Sequence, residues 1–236
     1  MIKKIIAMFT LCVTVSFFLV GCKNNSETEK CLAQIQKAQS SFNSNESCHI
    51  LATSTVKTPT KKDANTIDFI YKFTKSGTAS FNLCQYDANK KLLSSEYSDG
   101  EKAEQWLLGK GLSVLDSSLY SKEKPHSIIT LLTNPIQKST ISSIKQTAEK
   151  ENTKYVLKMD AKKINDSLDK DKSIVVNLQE ITFILDAKQN IISYLENITI
   201  DDKIAKCKTE YNLTLTLSDH NAIKQIPTIK AEKVNK

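Results

Sequence analysis

The chain has 236 residues, with 33 basic and 26 acidic side chains and a formal net charge of +7. Its length and 40% apolar content suffice for a sizeable core in a single domain. Every basic residue is lysine. Without arginine, the usual bidentate reader of phosphate and guanine, nucleic-acid recognition loses its main tool, and no nucleic-acid partner is expected.

Residues 1–21 read as an export leader. Lys3 and Lys4 form a positive start, Ile5 to Leu19 is an uncharged apolar run, and Gly21 is the small residue before a cleavage point. The run falls short of the roughly 20 apolar residues of a membrane span. Leu19-Val20-Gly21-Cys22 resembles the bacterial lipoprotein lipobox. That resemblance implies that Cys22 becomes the mature N terminus, thioether-linked to lipid, and that the protein is exported and held on the outer face of the cell membrane. At about 0.8 kcal/mol per buried methylene, two or three acyl chains make such an anchor durable.

Residues 22–28 are polar and form a flexible tether, and the folded domain is expected over 29–230. Cys31, Ile35, Ala38 and Phe42 recur at helical spacing, which predicts one amphipathic helix ending near Phe42. From Cys48 the period becomes two. Ile67, Phe69, Tyr71 and Phe73 alternate with Asp68, Ile70, Lys72 and Thr74, and turns at Ser76-Gly77, Asp87 to Lys90 and Asp99-Gly100 separate short antiparallel strands. Gly109-Lys110-Gly111 turns the chain again beyond Trp106. Two short helices are expected next, over 125–134 and 136–148, broken at Pro135. Strands resume at Tyr155 to Met159, yield to a short polar helix over 161–170, and return over 174–185, 191–200 and 211–217, with a hairpin turn at Asp186 to Asn190. The lysine-rich tail, 231–236, is expected to fray.

Cys12 leaves with the leader and Cys22 takes lipid, so Cys31, Cys48, Cys84 and Cys207 remain. Export permits disulfides, yet the spacings match no paired or zinc pattern, which leaves open both a disulfide among the four and four buried thiols.

Catalytic patterns are absent. His49, His126 and His220 lack partners at metal-binding spacing and read as surface or strand-end residues. The glycines around Lys110 fail as a phosphate loop because Glu104 stands where a glycine is needed. Ser142-Ser143-Ile144-Lys145 is a common coincidence in so serine- and lysine-rich a chain. Asp169-Lys170-Asp171 and Asp201-Asp202 lack the glycine and glutamate of a calcium loop. No enzyme activity, metal or cofactor is expected.

The order of elements, a helix, a run of antiparallel strands, a helical insertion and further strands ending in the alternation of Tyr211 to Leu217 and in Ile226-Pro227, all behind a lipobox, resembles the LolA-like lipoprotein superfamily. That group includes lipoprotein carriers and the glycolipid-transfer lipoproteins of mycobacteria. The resemblance implies an α+β fold: a single strongly curved antiparallel β-sheet, an open half-barrel, with helices packed on its concave side over an apolar cavity. The carriers latch a helical lid with a buried arginine; this chain has none, and no functional residue transfers from the family. Two functions follow. In one, a lipid or other hydrophobic molecule occupies the cavity, with Phe69, Tyr71, Phe73, Phe81, Trp106, Tyr155 and Leu213 as candidate lining. In the other, those side chains fill the core and the domain is a cell-envelope protein–protein interaction module whose partner the sequence does not name.

Overall fold

The computed structural model describes residues 26–115, 120–168 and 173–228. The expected leader, Cys22, the start of the expected tether, Asp169-Lys170-Asp171 and the tail 231–236 lie outside them. Helix α1 spans Ser26–Asn43. It starts three residues before Glu29, so Ser26, Glu27 and Thr28 belong to the helix and not to the tether, and Glu27 and Glu29 complement the positive end of its dipole. Six strands follow: β1 (Ser47–Lys57), β2 (Lys62–Phe73), β3 (Ala79–Asp87), β4 (Leu92–Ser98), β5 (Ala103–Leu107) and β6 (Gly111–Leu115). Helix α2 (Ser127–Thr133) and a 3-10 turn (Lys138–Thr140) lead into β7 (Ile141–Glu149) and β8 (Asn152–Met159). Helix α3 (Ala161–Ser167) precedes β9 (Ile174–Leu185), β10 (Ile191–Asp202) and β11 (Cys207–Ser218).

The strands form one antiparallel sheet in the order β6-β5-β4-β3-β2-β1-β11-β10-β9-β8-β7. It is open, ending in β6 and β7, and with the three helices it makes the expected α+β class. None of the described helices is long and apolar enough to cross a membrane. Three of its hairpins turn on an aspartate whose carboxylate takes the backbone N–H groups of the turn. Asp87 Oδ1 accepts from Asn89 and Lys91 (both 2.9 Å), Asp99 Oδ1 from Glu101 (2.9 Å) and Lys102 (2.8 Å), and Asp186 Oδ1 from Lys188 (2.9 Å) and Asn190 (2.8 Å). At the second of these Gly100 adopts φ +98°, and a Cβ there would come within 3.1 Å of Thr74 Cγ2.

The chain divides into two compact units. The first holds described residues 26–44, 56–62 and 127–213. Here α1 packs on α2, on β7 and on β10, burying Cys31, Leu32, Ile35, Ala38 and Phe42. Helix α3 lies on β9, where Ile164 joins Val176 and Ile200, and Asn165 exchanges two 2.8 Å hydrogen bonds with the Val176 backbone. The second unit holds 45–55, 63–126 and 214–228. In it the segment after β11 returns across β2 and β3. Lys72 Nζ donates to the Lys224 carbonyl (3.1 Å) and Asn82 Nδ2 to that of Pro227 (2.7 Å).

One element departs from expectation: residues 141–149 form strand β7, not the second of two helices. Ile141, Ile144 and Ala148 suit a helical stripe, but β7 is an edge strand with little to bury, so it lacks the apolar alternation that marks an inner strand. Its conformation is set by pairing with β8, which places Ile144 opposite Leu157 and Gln146 opposite Tyr155.

Candidate ligand pocket and aromatic face

In the first unit, α2 ends where Pro135 forbids its continuation, with the Asn134 N–H making a last bond to the Thr130 carbonyl (2.9 Å). The chain then runs as a connection, 134–140, over the sheet. Two glutamines of α1 hold it down: Gln39 Nε2 donates to the Asn134 carbonyl (2.7 Å) and Gln36 Nε2 to that of Ile136 (3.2 Å). Strand register defines the face beneath. Gln146, Tyr155, Phe183 and Tyr194 form one row across β7 to β10, and Ile144, Leu157, Ile181 and Glu196 form the next. Between the connection and this face lies a pocket of about 70 Å³. Leu131, Pro135, Ile136, Met159, Ile181 and Phe183 supply apolar wall, and Gln179, Tyr194 and Glu196 supply polar floor.

Glu196 is 3% exposed. Gln179 Nε2 donates to its Oε1 (2.6 Å) and the Tyr194 hydroxyl to its Oε2 (3.1 Å). A buried carboxylate costs several kcal/mol unless its oxygens are hydrogen-bonded, and these donors answer part of that cost. Sequence reading passed over this residue, although a signal was there: Glu196 shares strand parity with the buried Tyr194, so alternation puts a charge on an inward position.

In the second unit, register gathers Phe69, Tyr71, Phe73 and Phe81 on one face of β2 and β3. All four are buried and spend their rings on one another. Phe69 stacks on Tyr71 with centroids 5.4 Å apart and meets Phe81 edge-on at 6.3 Å, and Tyr71 meets Phe73 at 5.3 Å. Tyr120 and His126 close the rank, Tyr120 lying 5.0 Å from Phe81 and His126 4.9 Å from Phe69. His126 is thus enclosed by rings, not a plain surface residue, and burial pushes its pKa down to about 4. Glu96 shares the face. Burial raises its pKa, opposed by hydrogen bonds from Gln105 Nε2 (2.8 Å) and the Tyr120 hydroxyl (3.4 Å).

Of the seven residues expected to line one cavity, Phe69, Tyr71, Phe73 and Phe81 share one face of the second unit, and Trp106 does not lie on it. Trp106 pairs with Ser95, which pairs with Cys84 and through it with Asp68, so it lies on the face opposite the four aromatics. Tyr155 belongs to the first unit, where its hydroxyl donates to Gln34 Oε1 of α1 (2.6 Å). It lies in the same row as the pocket residues Phe183 and Tyr194. Leu213 is half-buried on β11.

Cys31, Cys48, Cys84 and Cys207 are free thiols. Cys48 lies 3.9 Å from His220 Nδ1, and Asn45 Nδ2 lies 3.0 Å from the same nitrogen, a grouping that resembles a cysteine–histidine–asparagine triad in composition alone. The thiol instead sits near the carbonyls of Ser218 (3.3 Å) and His49 (3.5 Å), and burial pushes its pKa up to about 12, so it is a poor nucleophile near neutral pH. His49 bonds Asp68 at 2.7 Å, with Asp219 at 3.9 Å. Among the described residues no group of three or more His, Cys, Asp or Glu is placed to hold a metal ion.

No family model and no curated protein matches the chain. Solved structures similar to it include the lipoprotein LppX of Mycobacterium tuberculosis, at 12% identity and a TM-score of 0.48, over 84% of this chain and 99% of that one. LprF of Mycobacterium bovis matches at 12% identity and 0.46, over 85% and 97%. A LolA superfamily protein of Nitrosomonas europaea matches at 8% identity and 0.27, over 89% and 97%. The likeness concerns fold alone.

Proposed function

We propose that the chain is an exported lipoprotein, anchored through lipid on Cys22 to the outer face of the cell membrane, whose domain binds a hydrophobic molecule. The binding place is the first-unit pocket between the 134–140 connection and the sheet. One observation carries this: a recess in which the apolar side chains Leu131, Pro135, Ile136, Met159, Ile181 and Phe183 meet hydrogen-bonding groups of Asn134, Gln137, Thr140, Gln179, Tyr194 and Glu196, so that a small amphipathic group finds both kinds of partner. At about 70 Å³ the pocket is far below the roughly 300–1,000 Å³ of sites for drug-sized ligands. It receives a small group or a chain end, and a longer ligand requires the connection to lift from the sheet, breaking the Gln36 and Gln39 bonds. The role is binding, without a catalytic step.

The test is mass spectrometry of organic extracts of the purified Cys22→Ser protein beside a mock purification. A reproducible, stoichiometric hydrophobic molecule supports the reading. A ligand-free protein that also takes up no fluorescent fatty acid or alkyl probe refutes it.

A specific observation favours a second reading, an interaction module. Leu112 and Val114, on edge strand β6, are 60% and 83% exposed, and their strand carries no charged residue to discourage pairing. Concentration-dependent sedimentation that Val114→Lys abolishes would support that role.

A further inference from the structure

Resting on the reading of Cys22 as a lipid anchor, we infer that one end of the first unit is a membrane-docking rim, in which Ile204, at the tip of the β10–β11 hairpin, enters an anionic lipid surface while the lysines around it lie on the head groups. Antiparallel pairing gathers the elements of this rim. Strand β7 begins, β8 ends, β9 begins, β10 ends and β11 begins at one end of the sheet. Strand β1 neighbours β11 and finishes there too, where Lys57 Nζ donates to Glu210 Oε2 (3.3 Å), so the turn after β1, 58–61, stands beside the turn after β10, 203–206. Both turns belong to the first unit. Ile204 is 80% exposed. The turn is held by other groups: Asp202 Oδ1 accepts from the Ala205 N–H (2.8 Å), and the Lys203 N–H donates to the Ser173 carbonyl (2.8 Å). An isoleucine left in water at a turn tip, between lysines, has the make-up of an interfacial anchor, with an apolar side chain for the acyl boundary and long cationic ones for the head groups.

The charge has the sign such a surface requires. Over 57–63 and 201–210 the exposed Lys57, Lys61, Lys62, Lys203, Lys206 and Lys208 stand against Asp63, Asp201, Asp202 and Glu210, an excess of two positive charges. Helix α3 with its cap, at the same end, adds Lys162 and Lys163 against Asp160 and Asp166 and leaves that excess unchanged. A charged surface senses net charge across a Debye length of about 10 Å, so lysines already paired with a neighbouring acid count in this balance with their partners. The attachment point agrees. Helix α1 is described from Ser26, four residues beyond Cys22, which gives a reach of at most about 14 Å. In its first turn Glu29 pairs with Lys138, just before β7, and Lys163 Nζ of α3 donates to the adjacent Ser139 carbonyl (2.8 Å). A lipid on Cys22 therefore draws this end of the unit, and not the opposite end with its turns at Lys150 and Asp186 to Asn190, toward the bilayer.

The experiment places the membrane-isolated protein, with its native Cys22, in bilayers of phosphatidylcholine alone or in equal mixture with phosphatidylglycerol, the lipids brominated on acyl carbons near the head group. Trp106 is the single indole of the unsubstituted protein and sets the baseline of bromine quenching. Ile204→Trp is expected to add emission that the anionic bilayer quenches about threefold more than the neutral one, and Lys203→Glu with Lys206→Glu in that background should remove at least half of the quenching. Val114→Trp, on β6, should show no quenching beyond the baseline. An indole at 204 that neither bilayer quenches overturns the inference, and so does quenching at 114 in its place. Equal quenching in the two bilayers, or quenching that survives the charge reversal, overturns the assignment to an anionic surface. Emission from position 204 that shifts to the blue with protein concentration, without a response to lipid, makes a second copy the occupant and overturns the inference as well. Should Ile204→Trp disturb the hairpin, the unsubstituted protein still decides: amide exchange across 203–206 must slow at least threefold from the neutral to the anionic bilayer, and equal exchange refutes the rim. Mass spectrometry of the N-terminal fragment reads the anchor separately. Lipid on Cys22 without quenching at 204 refutes the rim alone, whereas an unmodified Cys22 refutes the anchor and the orientation that rests on it.

Discussion

Replacing Phe81 by alanine separates a packed aromatic core from the wall of an open cavity. Phe81 is 0% exposed, and its ring meets those of Phe69 at 6.3 Å and Tyr120 at 5.0 Å. Deleting a phenylalanine ring from a closed core costs about 3–5 kcal/mol, within which each aromatic pair accounts for about 0.5–1.5 kcal/mol. A ring bordering free space has fewer partners to lose and costs correspondingly less. Urea unfolding is the assay, followed by fluorescence of Trp106, the single tryptophan of the chain, which lies in the same unit. With a slope of about 2–3 kcal/mol per molar urea, Phe81→Ala should lower the midpoint by about 1–2.5 M at unchanged slope. A shift below about 0.5 M would refute the reasoning and return this face to the list of candidate cavities.

Three further outcomes are expected. Glu96→Gln should stabilise the second unit at pH 7 and change little at pH 3, as read by Trp106: burial raises the folded pKa of Glu96, so the folded state holds its proton longer than the unfolded chain, and stability falls as pH rises from the ordinary glutamate value through the folded one. A benefit that grows toward acid pH would contradict the sign. Asp160 caps α3, its Oδ1 accepting from the Lys162 (3.1 Å) and Lys163 (3.2 Å) N–H groups, and Asp160→Ala should cost about 0.5–2 kcal/mol, with faster amide exchange across 161–167; unchanged exchange would deny the cap its role. Toward a thiol reagent at pH 8, Cys207 should react first, whereas Cys48 and Cys84, their pKa values pushed up by burial to about 12 and about 11, should wait for unfolding. Prompt modification of Cys48 in folded protein would show that its burial is not maintained.

Much of the chain's local structure is legible in its residues. The alternation of Phe69, Tyr71 and Phe73, the aspartate turns and the stop at Pro135 are written within a few residues, because side-chain period, turn chemistry and proline geometry are local properties. Strand β7 was not legible in that way, since an edge strand buries too little to leave a pattern, and its identity depends on β8, which follows it in sequence. The polar floor of the pocket was half legible: the strand parity of Glu196 follows from its own strand, but nothing nearby announces that Gln179, 17 residues earlier, will donate to it.

Trp106 marks the boundary most clearly. Its strand and its burial could be anticipated, yet not the face it shares with others, because alternation assigns sides within one strand only. Which side of β5 continues which side of β2 is settled by hydrogen-bond register through β3 and β4, and that register is a property of paired strands. The proposed leader and lipid-acceptor cysteine rest on short motifs, readable before folding, and the fold class on the order of local elements and the resemblance it carries. The division into aromatic face, opposite face and pocket exists only once the strands have paired, since pairing alone brings distant residues onto one surface.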